Sequence, residues 1–407
     1  MTERDYPQSA AGASVHTIDG IERQQHGKTG RPAVPAPRSV GGRAALTVGV
    51  EEEFLLVDYR TRRVSPRAPL VLAAAAGRLP GLQPEITQFQ VETATPICHT
   101  MAQVRENLVD SREKLAGAAR RHGLRLAASG TPVLGRAAPP PLTDNARYHQ
   151  MAAEFGAVTD GLSICGCHVH VGIPGPEEGI RASNYLRPWL PVLLALSANS
   201  PFWEGRDTGY ASWRYLVWAR WPTAGPPPVF ESADQYEHAV RSLIQAGAAM
   251  DRAMAYWDIR LSQQHPTIEL RVCDVAATAD EAVLIAAMTR AMVATALDDN
   301  RPPLGMPHHL LRAAGWRAAR DGLDGSCVNP VTGHTLPTPV LVRQLIGRVR
   351  PALEEAGDLD LVLDLLESLL AKGCGAQRQR RAFARNGKLT DVVDLLTAQT
   401  AGADDLV

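Results

Sequence analysis

"TVGVEEEFLLVD", residues 47–58, sets three consecutive carboxylates inside an apolar run with high strand propensity. Read with a period of two, Thr47, Gly49, Glu51, Glu53 and Leu55 point one way, and Leu46, Val48, Val50, Phe54 and Leu56 the other. One face is a packing surface interrupted only by Glu52, for which the stretch itself offers no reason. The opposite face holds two acids about 7 Å apart, close enough to repel unless a cation or base sits between them. A solvent-exposed edge strand accounts for this stretch equally well on its own, so the decision falls to the rest of the chain.

Three further segments repeat the design. In "CGCHVHVG", residues 165–172, Gly166, His168 and His170 share a face, while Cys165, Cys167, Val169 and Val171 lie opposite. A regular strand cannot bring Cys167 and His168 to one ion, which argues against a Cys/His zinc site. A metal or anion site that uses the histidines alone, and a pair of purely structural histidines, both stay open. In "PTIELRVCD", residues 266–274, Ile268, Leu270 and Val272 face the core, while Glu269 and Arg271 share the other side. That pair is either a same-strand ion pair or an acid for a metal beside a guanidinium for a phosphate. In "ITQFQVETA", residues 86–94, Gln88, Gln90 and Glu92 align, whereas Glu85 has the opposite parity and needs a bulge to join them.

Four such strands together predict a sheet whose concave side is a polar cleft. Acids gathered there need divalent cations to offset their repulsion. Mg²⁺ suits oxygen ligands and phosphates, and a histidine among the ligands admits Mn²⁺. The chain has no GxxxxGK[ST], and no GxGxxG joins a strand to a helix. ATP, if bound, would be held by metals and arginines.

The 407 residues are 45% hydrophobic, enough for a sizeable core, and Lys plus Arg (42) nearly balances Asp plus Glu (43). A net charge of -1 argues against a nucleic-acid or anionic-membrane surface. "MTERDYPQSAAG" lacks the apolar centre of a secretory signal, and runs such as "LPVLLALSA" fall short of the roughly 20 residues of a membrane helix. The expectation is a soluble, cytoplasmic protein whose six scattered cysteines are reduced thiols. Residues 1–43, rich in Gly, Pro and charge, read as a flexible tail, 44–400 as one catalytic domain, and 401–407 as a C-terminal tail. Within the domain, Thr143 or Asp144 is the expected cap at the start of "TDNARYHQMAAEFGAV". Residues 199–228 form a long aromatic loop, and everything beyond Pro302 reads as helical. Strands interspersed with helices without a βαβ rhythm predict an α+β domain with a largely antiparallel, curved sheet and helices packed outside.

"VGVEEEFLLVD", "VETATPIC", "DNARYH", "CGCHVHVG", "ASWRYLVWARWPTAGPP", "WDIR", "TIELRVCD" and "RQRRAFARNGKLTDVVDLL" occur in this order. Together they resemble the bacterial type 2 glutamate–cysteine ligases, ATP-dependent carboxylate–amine ligases related to glutamine synthetase, over roughly residues 45–400. The resemblance implies a glutamine-synthetase-like domain with a metal-lined cleft. It also implies that Glu51 and Glu53 touch different Mg²⁺ ions, that Glu92 shares one with Glu53, and that His168 and Glu269 join Glu51 around the other. Arg271 would contact the phosphates of ATP and Arg214 would clamp a substrate carboxylate or phosphate, making these two the catalytic arginines. Arg260 and Trp257 fall in motifs implied to bind the nucleotide, and Arg147 in one implied to bind substrate. Leu261 stands where the family often has proline, and "DVAAT" lacks a common Pro-Leu pair, which touches loop shape and substrate fit more than metal binding.

The implied reaction joins the γ-carboxylate of glutamate to cysteine through an acyl phosphate. Its partners would be a small carboxylate and an amine, without nucleic acid or membrane, in a chain that is free to form a homo-oligomer. A ligase for another amino acid–amine pair is the first alternative. A metal-dependent hydrolase and a non-catalytic metabolite-binding protein are the others. Trp203, Tyr210, Trp213, Trp218 and Trp221 either cover the acceptor-amine pocket or cap a helix by packing.

Overall fold

Residues 48–58 form one long strand, β1 (Val48–Asp58), the spine of the molecule; burial alternates as far as Phe54, after which Leu55, expected on the polar face, is buried along with Leu56 and Val57. The computed structural model describes residues 45–135, 139–299 and 304–402, all within one unit, Val40–Val407. The tail expected at 1–43 lies outside the described residues, and so does all of the tail expected at 401–407 except residues 401 and 402. From β1 the chain passes through α1 (Ala68–Ala75), β2 (Gln83–Pro84), β3 (Gln90–Ala94), α2 (Met101–Arg120), β4 (Leu124–Ala127) and α3 (Ala146–Phe155) to β5 (Cys167–Gly172). Next come α4 (Pro176–Leu186), α5 (Leu190–Ser197), the hairpin β6 (Phe202–Trp203) and β7 (Arg206–Asp207), then α6 (Trp213–Trp218) and α7 (Ala233–Gln245). The strands β8 (Ile259–Leu261) and β9 (Thr267–Leu270) precede α8 (Ala279–Asp298) and α9 (His308–Asp321). A second hairpin, β10 (Ser326–Val328) and β11 (Thr335–Pro337), leads into α10 (Thr338–Ala356), α11 (Leu359–Lys372), α12 (Gly375–Asn386) and α13 (Leu389–Thr400).

The main sheet has the order β2-β3-β1-β5-β9-β8, with β4 on the C-terminal end of β1, and every pairing is antiparallel. The apolar residues of alternating parity go where the sequence sends them. Val48, Val50, Cys167, Val169, Val171, Ile268 and Leu270 bury themselves against α8. Phe54, Leu56, Val91, Leu124 and Leu126 join a second cluster with residues of α1 and α13. Each such aliphatic side chain contributes about 1.5–3 kcal/mol on full burial. Helix α8 is apolar nearly all round because it is enclosed on all sides, and the Thr278 hydroxyl caps it by accepting the Glu281 N–H at 3.3 Å.

Glu52, the one charge on the packing face, is answered from α2. Arg112 donates to it through Nε (2.9 Å) and Nη2 (2.5 Å), and also to the carbonyls of Ala276 and Ala277. The pair is fully buried, so removing one partner would cost about 3–5 kcal/mol.

Three local expectations change. The cap of α3 is Asn145, whose side chain accepts the Arg147 N–H at 2.9 Å, one residue after Asp144 and two after Thr143, the two candidates expected; the aspartate is fully exposed instead. The stretch 199–228 is not a single loop, because it folds into the β6–β7 hairpin and α6. The region beyond Pro302 is not wholly helical, because β10 and β11 pair around the turn at Asn329–His334.

Candidate active site

Register compounds parity. On the face opposite the core, Glu53 of β1 stands across from Glu92 of β3, and Glu51 across from His168 of β5. His170 then faces Glu269 of β9, which faces Arg260 of β8. Two compact groups result. Ligand atoms of Glu51, His168 and Glu269 lie within 4.8 Å of one another, as do those of Glu53, Glu85 and Glu92.

The first group is rich in compensating charge. His168 Nδ1 lies 3.2 Å from Glu51 Oε2, and His170 Nε2 is also 3.2 Å from Oε1, off the line of a good hydrogen bond. Burial works to raise the Glu51 carboxyl, but the hydrogen bonds and charge of His168 and His170 outweigh it and hold it far below its usual range. Glu269 is buried too. Arg271 and Arg260 overcome that burial and hold its carboxyl well down. Arg260 grips it with Nε at 2.7 Å and Nη2 at 3.2 Å, and Arg271 pairs with it through Nη1. Burial and the nearby Arg271 push His168 down to about 4, so its ring is neutral near pH 7. A proton on Nδ1 for Glu51 leaves the Nε2 lone pair free, and that buried atom has no hydrogen-bond partner. His170, steadied by Thr267 Oγ1 at 2.9 Å from Nδ1, is raised instead, since Glu51 and Glu269 outweigh its burial.

The second group lacks such compensation. Burial and the charge of Glu85 raise the Glu53 carboxyl to about 8, against the pull of Arg214, the Gly166 N–H and Arg271. Burial, then Glu85, Glu51 and Glu53, drive Glu92 well above the carboxylate range. The donor sets fit divalent cations: three carboxylates at one point, and two carboxylates with an imidazole at the other.

Arg214 arrives from α6, which Ser212 starts by capping Tyr215 N. It is 3% exposed, and its guanidinium donates only long bonds of 3.4 Å to the carbonyls of Val272 and Arg271, leaving Nε unpartnered. Asp274, 4.0 Å away, is held by the hydroxyls of Ser200 and Ser212 and by Asn199 N. Gly166 makes room for the arginine, since a Cβ there would lie 2.3 Å from Arg214 Nη2 and 3.1 Å from His168 Nε2. The same glycine donates its N–H to Glu53 Oε2 at 2.7 Å.

The remaining expected residues are placed as follows. Arg260 also donates to the carbonyls of Ala253 and Ala255, so its donors are committed to the protein. Trp257 is 7% exposed in an aromatic cluster with Phe230 and Tyr236. Arg147 lies at a half-buried position in a bidentate pair with Asp251 and is not within either acid group. Trp218 and Trp221 pack with Tyr256, and Arg271 sits 5.9 Å from the Trp218 ring centre, which sets this aromatic wall beside the acids. Trp203 and Trp213 pack on Ile164 and Val217 instead. Gln88 and Gln90, aligned with Glu92 by period, bond to the Leu142 and Ile164 carbonyls and are not part of the acid groups. The cysteines are all free and buried, and burial raises the Cys165 and Cys167 thiols well above their usual range.

Sequence reading gave Glu85 the wrong parity and left it out of the metal set unless a bulge intervened, because it assumed a continuous strand. The chain turns at Gln88–Phe89 between β2 and β3, so parity does not carry across it. It also missed Asp274, although the residue stands inside the quoted "TIELRVCD".

The family model of glutamate–cysteine ligase family 2 matches residues 47–395. This chain belongs to that family. A Rhodococcus jostii (strain RHA1) protein named "Putative glutamate--cysteine ligase 2-1" is 48% identical to the ligase over 357 residues, 87% of this chain and 96% of that one. A Mycobacterium sp. (strain KMS) protein named "Putative glutamate--cysteine ligase 2-2" is 49% identical over 364 residues, covering 87% and 98%. Among solved structures, glutamate–cysteine ligase from Francisella tularensis in complex with AMP superposes with a TM-score of 0.66 at 12% identity, over 89% of this chain and 90% of that one. A bifunctional glutathione synthetase from Pasteurella multocida gives 0.67 at 15%, and the ligase spans 53% of its length. These two likenesses show the fold, a mixed helix and antiparallel-sheet domain shared with both proteins. The family is one of ATP-dependent ligases that act on small molecules with a divalent metal. Among the described residues no helix is long and apolar enough to cross a membrane.

Proposed function

We propose that this ligase joins the γ-carboxylate of glutamate to the amine of cysteine, with ATP converted to ADP and phosphate. The observation that supports the reading best is the adjacency of two acid groups on one face of one sheet to Arg271 and to the buried Arg214 of α6. A carboxylate does not acylate an amine in neutral water, because its oxygen is a poor leaving group. Attack of that oxygen on the γ-phosphorus of ATP gives an acyl phosphate and ADP; attack of the amine on the acyl carbon then expels phosphate and, after loss of a proton, leaves the amide. In this reading Glu51, His168 and Glu269 hold one Mg²⁺, and Glu53, Glu92 and Glu85 another, with Mn²⁺ an alternative where His168 binds. When bound, these cations neutralise the phosphoryl oxygens and the carboxylate brought against them.

The chain's own residues do the rest. Arg271 offers fixed positive charge to the phosphates from beside Glu269, and Arg214 clamps the substrate carboxylate or the transferred phosphoryl group. Arg260 holds Glu269 in place for its cation. Trp257 supports the nucleotide from its packed cluster, and Arg147 steers substrate at the rim. Trp218, Trp221 and Tyr256 exclude water beside the acceptor amine. No nucleophilic side chain is needed, and the buried thiols take no part. Six buried free cysteines suit a reducing compartment, the cytoplasm.

The deciding experiment is a coupled ADP-release assay with Mg²⁺ in which the carboxylic acid and the amine are varied separately. Release that needs both glutamate and cysteine is expected. Release with a different pair would keep the ligase and replace the substrates, whereas metal-dependent hydrolysis without nucleotide, or the absence of any turnover, would sink the reading.

A further inference from the structure

The ligase chemistry leaves the "RQRRAFAR" stretch of α12 unused, although Arg378, Arg381 and Arg385 recur there at i, i+3 and i+7 and share one helix face. That face opens on a cavity of about 250 Å³ among α8, α11, α12 and α13. Helix α8 covers the core side of the sheet, so the cavity lies across the sheet from the acid groups. Lys372, at the C-terminal end of α11, adds a fourth cation to its lining.

Two acids, Asp280 and Glu281, also line the cavity, but each is already engaged. Asp280 is bound by Arg105 at 2.5 Å, and Glu281 by Arg378 Nη2 at 2.5 Å. Arg378 is itself only 8% exposed, gives Nη1 to the Gly373 carbonyl, and keeps a buried Nε with no hydrogen-bond partner. Arg381 donates to the Lys372 carbonyl, which draws these two cations together rather than neutralising either. Among the described residues no carboxylate pairs with Lys372, Arg381 or Arg385. Leu365, Leu369 and Leu395 form an apolar part of the lining. An ordinary solvated basic face would need neither a concave site nor a buried arginine at its floor.

We propose that this cavity is a second, non-catalytic binding site for a small multivalent anion, carrying carboxylate or phosphate groups on a short apolar frame. Lys372, Arg381 and Arg385 supply its charge-assisted hydrogen bonds, with Arg378 fixed beneath them.

The test is calorimetric titration of the full-length, metal-free protein at constant ionic strength, with tricarballylate in one arm and inorganic pyrophosphate in the other. The wild type binds at least one of them, and the arm with the greater affinity tells carboxylate from phosphate. The double variant Arg381→Ala/Arg385→Ala binds at least about tenfold more weakly, while Arg381→Lys/Arg385→Lys retains more of the affinity. Lys372→Ala provides an independent weakening from α11 should the double variant lose its fold by circular dichroism. Absence of binding by the wild type in both arms overturns the proposal, and so do isotherms that none of these substitutions changes, which would place the anion elsewhere, such as at Arg271.

Discussion

Two groups of acids share one face of the sheet, and they solve the problem of buried charge in opposite ways. Around Glu51, His168 and Glu269 the protein supplies its own counter-charges, from Arg260, Arg271 and His170, so both carboxylates stay ionised. Around Glu53, Glu85 and Glu92 it supplies mostly more acid, and the Glu53 and Glu92 carboxyls are driven upward. The first group is electrostatically complete without a ligand; the second is completed only by protons or a cation. The contrast shows that one face of a sheet can hold one preorganised position and one whose occupancy depends on solution conditions.

Removing an acid from the second group strikes function hardest. Glu53→Gln is expected to abolish ADP formation while the circular dichroism spectrum stays native; full activity would take Glu53 out of the proposed metal site. Stability separates the groups next. Glu269→Gln strands two guanidiniums and should cost about 3–5 kcal/mol in urea unfolding of the metal-free protein. Glu92→Gln, which removes a carboxyl that burial already disfavours, should cost nothing or stabilise. Equal losses in the two variants would break the comparison.

Gly166 lies between the groups, and Gly166→Ala forces Arg214 or His168 to move; kcat/KM is expected to fall by about ten- to a hundredfold with little change in urea midpoint. An unchanged kcat/KM would mean that Arg214 has room to shift without consequence.

The pH response carries a definite sign. Glu53 and Glu92 keep protons in the folded state that the unfolded chain releases near 4.5. Over that window the folded protein binds more protons than the unfolded one, so these groups lower stability as pH rises. Glu51 and Glu269 are shifted the other way, and their contribution, present above 4.5, is lost only on acidification below it. The Tm of the metal-free protein should therefore fall between about pH 5.5 and about pH 8, less steeply in Glu92→Gln, with Mg²⁺ restoring most at the upper end. A slope identical in the variant would contradict the assignment. The smallest effect belongs outside both groups: Arg147→Ala breaks a half-exposed pair with Asp251 and should cost less than about 1 kcal/mol, with any change confined to the KM of one substrate.

Alternation along β1, β5 and β9 was legible from the chain because side-chain direction in a strand is a local property, repeated every two residues whatever lies far away. It separated Glu51, Glu53, His168 and Glu269 from the apolar residues, turned Cys167 toward the core, and so pointed to a polar cleft in an antiparallel α+β domain. What each charge meets is not local. Arg112 reaches Glu52 from 60 positions away, Glu85 joins Glu92 only because the chain turns at Gln88, and Arg214 approaches Gly166 only when α6 is brought beside Arg271 and Val272. Those partners decide which acids are compensated and which are not, and that difference belongs to the tertiary structure, since an electric field depends on distance in space and not on position along the chain.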